Sequence, residues 1–141
     1  MKLRTKYLLI GTVLFIVVAF GTISIIDTYQ NPTRVAYMLN IPAPPKSIHV
    51  IECETGNITD VIITCAIEID PSEFPLLLAG HTYTEHQDSG TSYTVGIPKL
   101  GPEFPVSKLY ISYPTEFKNG GTVRIFTDRE KKRAVVDLYI E

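Results

Sequence analysis

From Tyr7 to Ile26 the sequence is built mostly of Leu, Ile, Val and Phe, and no charged residue lies between Lys6 and Asp27. A helix of that length rises about 30 Å, the thickness of the hydrocarbon core of a bilayer. This stretch divides the chain into a cytoplasmic basic head over 1–6, a transmembrane signal-anchor helix over 7–26, a juxtamembrane turn and Pro-rich spacer over 27–46, and an extracytoplasmic β-rich domain over 47–141. Lys2, Arg4 and Lys6 precede the apolar run, and positive flanks are retained in the cytoplasm. The expected location is therefore the cell (inner) membrane, single-pass, N-terminus inside, with a periplasmic or otherwise extracytoplasmic C-terminal domain. The alternative is secretion after cleavage near Gly21, where Ala19-Phe20-Gly21 offers a small-x-small site. Ile23, Ile25 and Ile26 carry the run to spanning length and favour the uncleaved anchor. No strong small-xxx-small pattern marks a packing face on the run, so it reads as a tether.

Charge is unevenly distributed. Removing the three basic residues of the head from the chain's 13 leaves ten against 15 acidic, a balance of −5 from Asp27 onward. Nucleic acid requires a basic surface, so it is excluded as a partner. Apolar residues make up 45% of the chain and charged residues 20%, which supports a packed domain rather than a disordered one.

Asn31-Pro32 is a helix-start pair, and Val35, Met38 and Leu39 share a face of a short helix ending near Asn40. Ile41-Pro42-Ala43-Pro44-Pro45 cannot be helical and reads as a stiff spacer. Strands follow over Ile48–Glu54 and Asp60–Ile69. In the second, Val61, Ile63, Cys65, Ile67 and Ile69 line one face, opposite Thr64, Glu68 and Asp70. Asp70-Pro71-Ser72-Glu73 predicts a capping box opening a short helix that presents Phe74, Leu77 and Leu78 to the sheet, with Gly80 as its left-handed end. His81–Glu85 and Thr91–Ile97 flank a hairpin loop at Gln87–Gly90, and Pro98–Pro105 is a crossing loop. Strands over Val106–Tyr113, Thr122–Thr127 and Ala134–Ile140 complete the pattern. In the last, Ala134, Val136, Leu138 and Ile140 share a face, opposite Asp137 and Glu141. The fold expected is a single N-terminal transmembrane helix followed by a small α+β, β-rich domain: a mainly antiparallel sheet with one short helix packed on it.

Cys53 and Cys65 are the only cysteines, and the hairpin sets them on adjacent strands, so a disulfide is expected outside the cytoplasm. His81, Glu85 and His86, with Asp88 beyond, are the one metal-like cluster. A strand points His81 and His86 to opposite faces and two histidines fall short of a zinc site, so they read as hairpin polar residues and no metal is expected. His49 joins them only through the fold. There is no Gly-x-Ser-x-Gly elbow and no Gly-rich phosphate loop, so neither a catalytic residue nor a cofactor is assigned. Arg129, Lys131, Lys132 and Arg133 concentrate positive charge at one turn. With Tyr93 and Tyr110, on strands, they are the candidate partner-binding residues. Asn57-Ile58-Thr59 matches a glycosylation sequon.

The function expected is that of a membrane-anchored, extracytoplasmic protein-binding or accessory module, such as an immunity protein, an inhibitor or an assembly factor, and not an enzyme. The rival readings are a small metal- or acid/base-dependent hydrolase using His81 and His86, and a structural subunit of a membrane complex.

Overall fold

The computed structural model describes the backbone of residues 2–57, 60–87, 92–93 and 104–141, and the side chains of residues 10–22, 30–56, 60–87 and 105–141. It divides into two units, Met1–Gln30 and Asn31–Glu141. The first is helical, and its large apolar side chains from Ile10 to Phe20 stand exposed. Among the described residues no helix is long and apolar enough to cross a membrane. The run Tyr7–Ile26 is described only in part, since the side chains of 7–9 and 23–26 lie outside the described residues.

The second unit is a small β-rich domain. Its first element is the end of helix α1 (Lys2–Met38), and Pro32 lies inside that helix. Asn31-Pro32 therefore does not open a new helix. Proline removes one backbone donor, and here the helix continues through that loss. The helix closes in a Schellman motif: Ile41 N donates to Ala36 O (3.0 Å), Asn40 N donates to Tyr37 O (3.1 Å), and Asn40 takes the left-handed position with φ 52°. The residues expected to separate anchor from domain instead contribute Val35, Ala36, Met38, Leu39 and Ile41 to the domain's core.

Strands β1 (His49–Asn57), β2 (Val61–Glu68), β3 (Thr84–Gln87), β6 (Lys108–Ser112), β7 (Gly121–Thr127) and β8 (Arg133–Ile140) form a six-stranded antiparallel sheet in the order β1-β2-β8-β7-β6-β3. A two-stranded pair, β4 (Ser92–Tyr93) with β5 (Phe104–Pro105), stands apart from it. β3 pairs with β6, and of the expected partner strand 91–97 only Ser92–Tyr93 is described, paired with β5; the rest of that expected hairpin lies outside the described residues. The sequon's Asn57 side chain and residues 58–59, the loop residues 88–91, and residues 94–103 lie outside the described residues.

One sheet face carries the main core. Cys65, Ile67, Val123, Ile125, Val136 and Leu138 pack there against the end of α1 and against Phe74 and Leu77 of α2 (Phe74–Leu77). The alternation of β2 and β8 thus has the facing expected of it, although Val61 at the strand's start is 41% exposed. Cys53 and Cys65 are direct cross-strand partners and form a disulfide, Cα–Cα 4.1 Å, with Cys65 Sγ 3.7 Å from Met38 Sδ.

The capping box is not formed. Glu73, not Asp70, occupies the cap position and makes no capping bond with its side chain. Its carboxylate instead accepts Ser47 N and Ser47 Oγ, both at 2.8 Å, while Asp70 N donates to Ser47 Oγ (3.0 Å). Asp70 accepts Ser72 N at 2.8 Å in a local turn. A serine brought in from the start of the domain thus takes the bonds that the helix start would have used. Gly80 is not the left-handed end of α2 either: Leu78 caps it in the right-handed region. Gly80 is required by close approach, since a Cβ there would lie 2.6 Å from the Asn40 carbonyl carbon and closer still to the Leu39 oxygen.

Candidate functional site

The sheet face away from the α1 end is assembled by strand parity. Register aligns Thr64 on β2, Asp137 on β8, Arg124 on β7 and Ile111 on β6 in one row. Beside it, Val135 and Phe126 form a small second apolar cluster with Val106 and Leu109. Asp137 is 4% exposed. Its Oδ1 accepts Thr64 Oγ1 at 2.8 Å, and its Oδ2 accepts Arg124 Nε at 2.9 Å and also Arg124 Nη2. The Arg124 guanidinium lies 5.7 Å from the Phe126 ring centroid, and its side chain remains 43% exposed. A buried carboxylate therefore fixes a guanidinium at the surface by charge-assisted bonds and ring stacking. Sequence pattern placed Asp137 on the solvent face; the signal that it was buried is its position within Val135, Val136 and Leu138, on a strand paired on both sides.

The same face runs into a cleft of about 760 Å³ at the end of the sheet. His49, Glu68 and Arg133 are successive cross-strand partners at its floor. The turn between β7 and β8 forms one wall. There Asp128 Oδ1 accepts Lys132 N (2.9 Å) and Arg133 N (3.3 Å), and Asp128 Oδ2 lies 3.5 Å from Arg133 Nε. Lys132 pairs with Glu130 at 2.6 Å; that bond lowers the Glu130 pKa and raises that of Lys132. On the opposite wall the Asp70 pKa is lowered, first by the Ser72 hydroxyl bond and then by its amide. The cleft's charges are thus largely matched within the cleft. Arg129 lines it, is exposed, and has no ion pair among the described residues.

The basic turn therefore splits. Arg129, Lys132 and Arg133 line the cleft. Lys131, in the left-handed conformation with φ 58°, turns to the other side of the sheet, where its ammonium lies 5.3 Å from the Phe74 ring centroid. Tyr110 is not a surface residue: it is 4% exposed, meets Phe74 at a tilt with 5.8 Å between centroids, and belongs to the core. Its strand parity aligns it with Ile125 and Val136, which explains its burial. The Tyr93 side chain lies outside the described residues. Exposed tyrosine is found instead at Tyr37 and Tyr113.

The candidate metal residues are dispersed. His86 is exposed on β3, where Glu85 points to the opposite face and pairs with Lys108 at 2.5 Å. That bond lowers the Glu85 pKa and raises that of Lys108. His81 precedes β3 and is nearly buried, with its Nδ1 3.7 Å from Glu116 Oε1. His49 lies in the cleft, 3.7 Å from Glu68. Among the described residues no group of three or more His, Cys, Asp or Glu is placed to hold a metal. No protein-family model, curated protein or solved structure matches this chain.

Proposed function

We propose that the chain is a membrane-anchored, extracytoplasmic binding module whose protein partner docks on the sheet face bearing Arg124 and the adjoining cleft. The observation that carries this reading is the Thr64–Asp137–Arg124 network. Replacing a buried ion pair by apolar residues is often neutral or stabilising, so fold stability alone does not account for an aspartate in the middle of a sheet. A half-exposed guanidinium held in one geometry does account for it. Arginine is enriched among the residues that dominate binding energy, and fixing it beforehand reduces the entropy lost on association. Ile62, 40% exposed on the same face, supplies apolar surface beside it, and Arg129 supplies an unmatched cation at the cleft. The partner chemistry favoured is a protein surface presenting carboxylates to these two arginines. Anchoring is supported by the uncharged run Tyr7–Ile26 behind a basic head, and an oxidising compartment by the Cys53–Cys65 disulfide.

The test is crosslinking in native membranes with the double variant Arg124→Met, Asp137→Leu, which removes both charges together and leaves neither buried alone. The expected outcome is an unfolding free energy within about 1 kcal/mol of the parent's with loss of the crosslinked partner. A folded double variant that captures the same partner at the same yield overturns the reading.

A further inference from the structure

Two cavities meet at His81. One, of about 300 Å³, is walled by Met38, Ile41, Phe117, Leu138 and Ile140. The other, of about 360 Å³, is polar, with Thr82, Ser112 and Thr115 in its wall. His81 and Glu116 line both. The His81 side chain is only 6% exposed, and its Nε2 is buried with no hydrogen-bond partner among the described residues. Buried polar atoms are normally paired, and packing alone does not require a histidine between an apolar and a polar cavity. The residue is held firmly in place: Gly80 lies against the Leu39–Asn40 backbone, Asn40 Nδ2 donates to Gly80 O at 3.3 Å, and the Tyr83 ring meets the imidazole edge-on at 6.1 Å.

Charge decides the class of ligand. Among the described residues no Lys or Arg lines either cavity, and the formal charge there is the Glu116 carboxylate, 53% exposed. His81 Nδ1 faces that carboxylate at 3.7 Å and Nε2 is buried, so the charged group open to a ligand is the acceptor-only Glu116 carboxylate. Both cavities include Asn40, at the C-terminal and therefore negative end of α1. Tyr37 borders the apolar cavity and Tyr113 the polar one, exposed by 72% and 71%. Accessible tyrosine rings beside a carboxylate favour an organic cation. We propose that the paired cavities bind a small alkylammonium ligand, its chain against Leu138 and Ile140 and its ammonium at the Glu116 carboxylate.

The full chain in detergent is titrated with n-hexylammonium, n-hexanoate and n-hexanol, following the amide resonances of His81, Thr82, Glu116 and Phe117. Hexylammonium is expected to bind saturably, and hexanoate at least about tenfold more weakly, because a second carboxylate is repelled at Glu116. Glu116→Gln, in an exposed loop, should keep the parent unfolding midpoint, weaken hexylammonium by about tenfold and leave hexanol unchanged. Tyr113→Ala should weaken hexylammonium several-fold without changing the midpoint. Hexanoate binding as tightly as hexylammonium, an affinity insensitive to Glu116→Gln, or no saturable binding by any probe overturns the proposal.

Discussion

Gly80 illustrates what a single position does in this domain. In sequence it follows an apolar helical segment and reads as a helix end. In the structure its missing Cβ lets the 79–83 segment lie directly on the backbone of Leu39 and Asn40, which orders His81 and Tyr83. The neighbours that a side chain would strike are backbone atoms, which cannot rotate away. Gly80→Ala is therefore expected to destabilise the domain by about 2–4 kcal/mol, measured as a lowered denaturation midpoint with the disulfide intact; an unchanged midpoint would show that the contact is dispensable. Nothing in the linear sequence signals this contact, because Asn40 lies forty positions away. Tyr110 fails for a related reason: whether a strand tyrosine faces core or solvent depends on pairing register, and its burial follows only from its alignment with Ile125 and Val136. Tyr83 is similar. Burial raises its hydroxyl pKa, and the oxygen has no hydrogen-bond partner among the described residues.

Among the elements, β2 and β8 were the most legible, because each carries an apolar residue at every second position and each is flanked by strands on both sides. Their inward residues could be named from period alone. The β1–β2 hairpin was legible too, through two cysteines whose spacing suited a cross-strand bridge. The disulfide fastens β1, an edge strand, to the rest of the sheet on its single paired side. Its bridging sulfur at Cys65 also abuts Met38, so the bridge is part of the core. Cys53→Ala with Cys65→Ala should lower stability by about 3 kcal/mol from loop entropy alone. Hydrogen exchange should localise the loss, with β1 amides exchanging well before those of β8. Equal protection in both strands would mean that the bridge does not govern the edge. The capping box was not legible, since the bonds it predicted were taken by Ser47, an acceptor and donor supplied from another part of the chain.

For the whole molecule, the antiparallel sheet and its approximate strand count were readable, while the strand order was not. β3 closes the sheet beside β6, across the twenty residues 88–107 of intervening chain, and local pattern carries no information about such a pairing. The candidate binding face was hidden for the same reason: Arg124, Asp137 and Thr64 lie far apart in sequence and meet only through register. The proposed topology, by contrast, rests on sequence alone. Three basic residues and no acidic residue precede the apolar run, and every acidic side chain follows it. Retention of Lys and Arg in the cytoplasm sets orientation more strongly than net charge does. A reporter active only outside the cytoplasm, fused after Glu141, should therefore be active, and the disulfide should be found formed in protein recovered from that compartment. Changing Lys2, Arg4 and Lys6 to Glu while adding two lysines after Gln30 reverses the bias, and should lower reporter activity and leave Cys53 and Cys65 open to alkylation. A cytoplasmic reporter signal from the parent fusion, or two alkylated thiols in the parent protein, would overturn the orientation, and with it the compartment in which the Arg124 face would meet its partner.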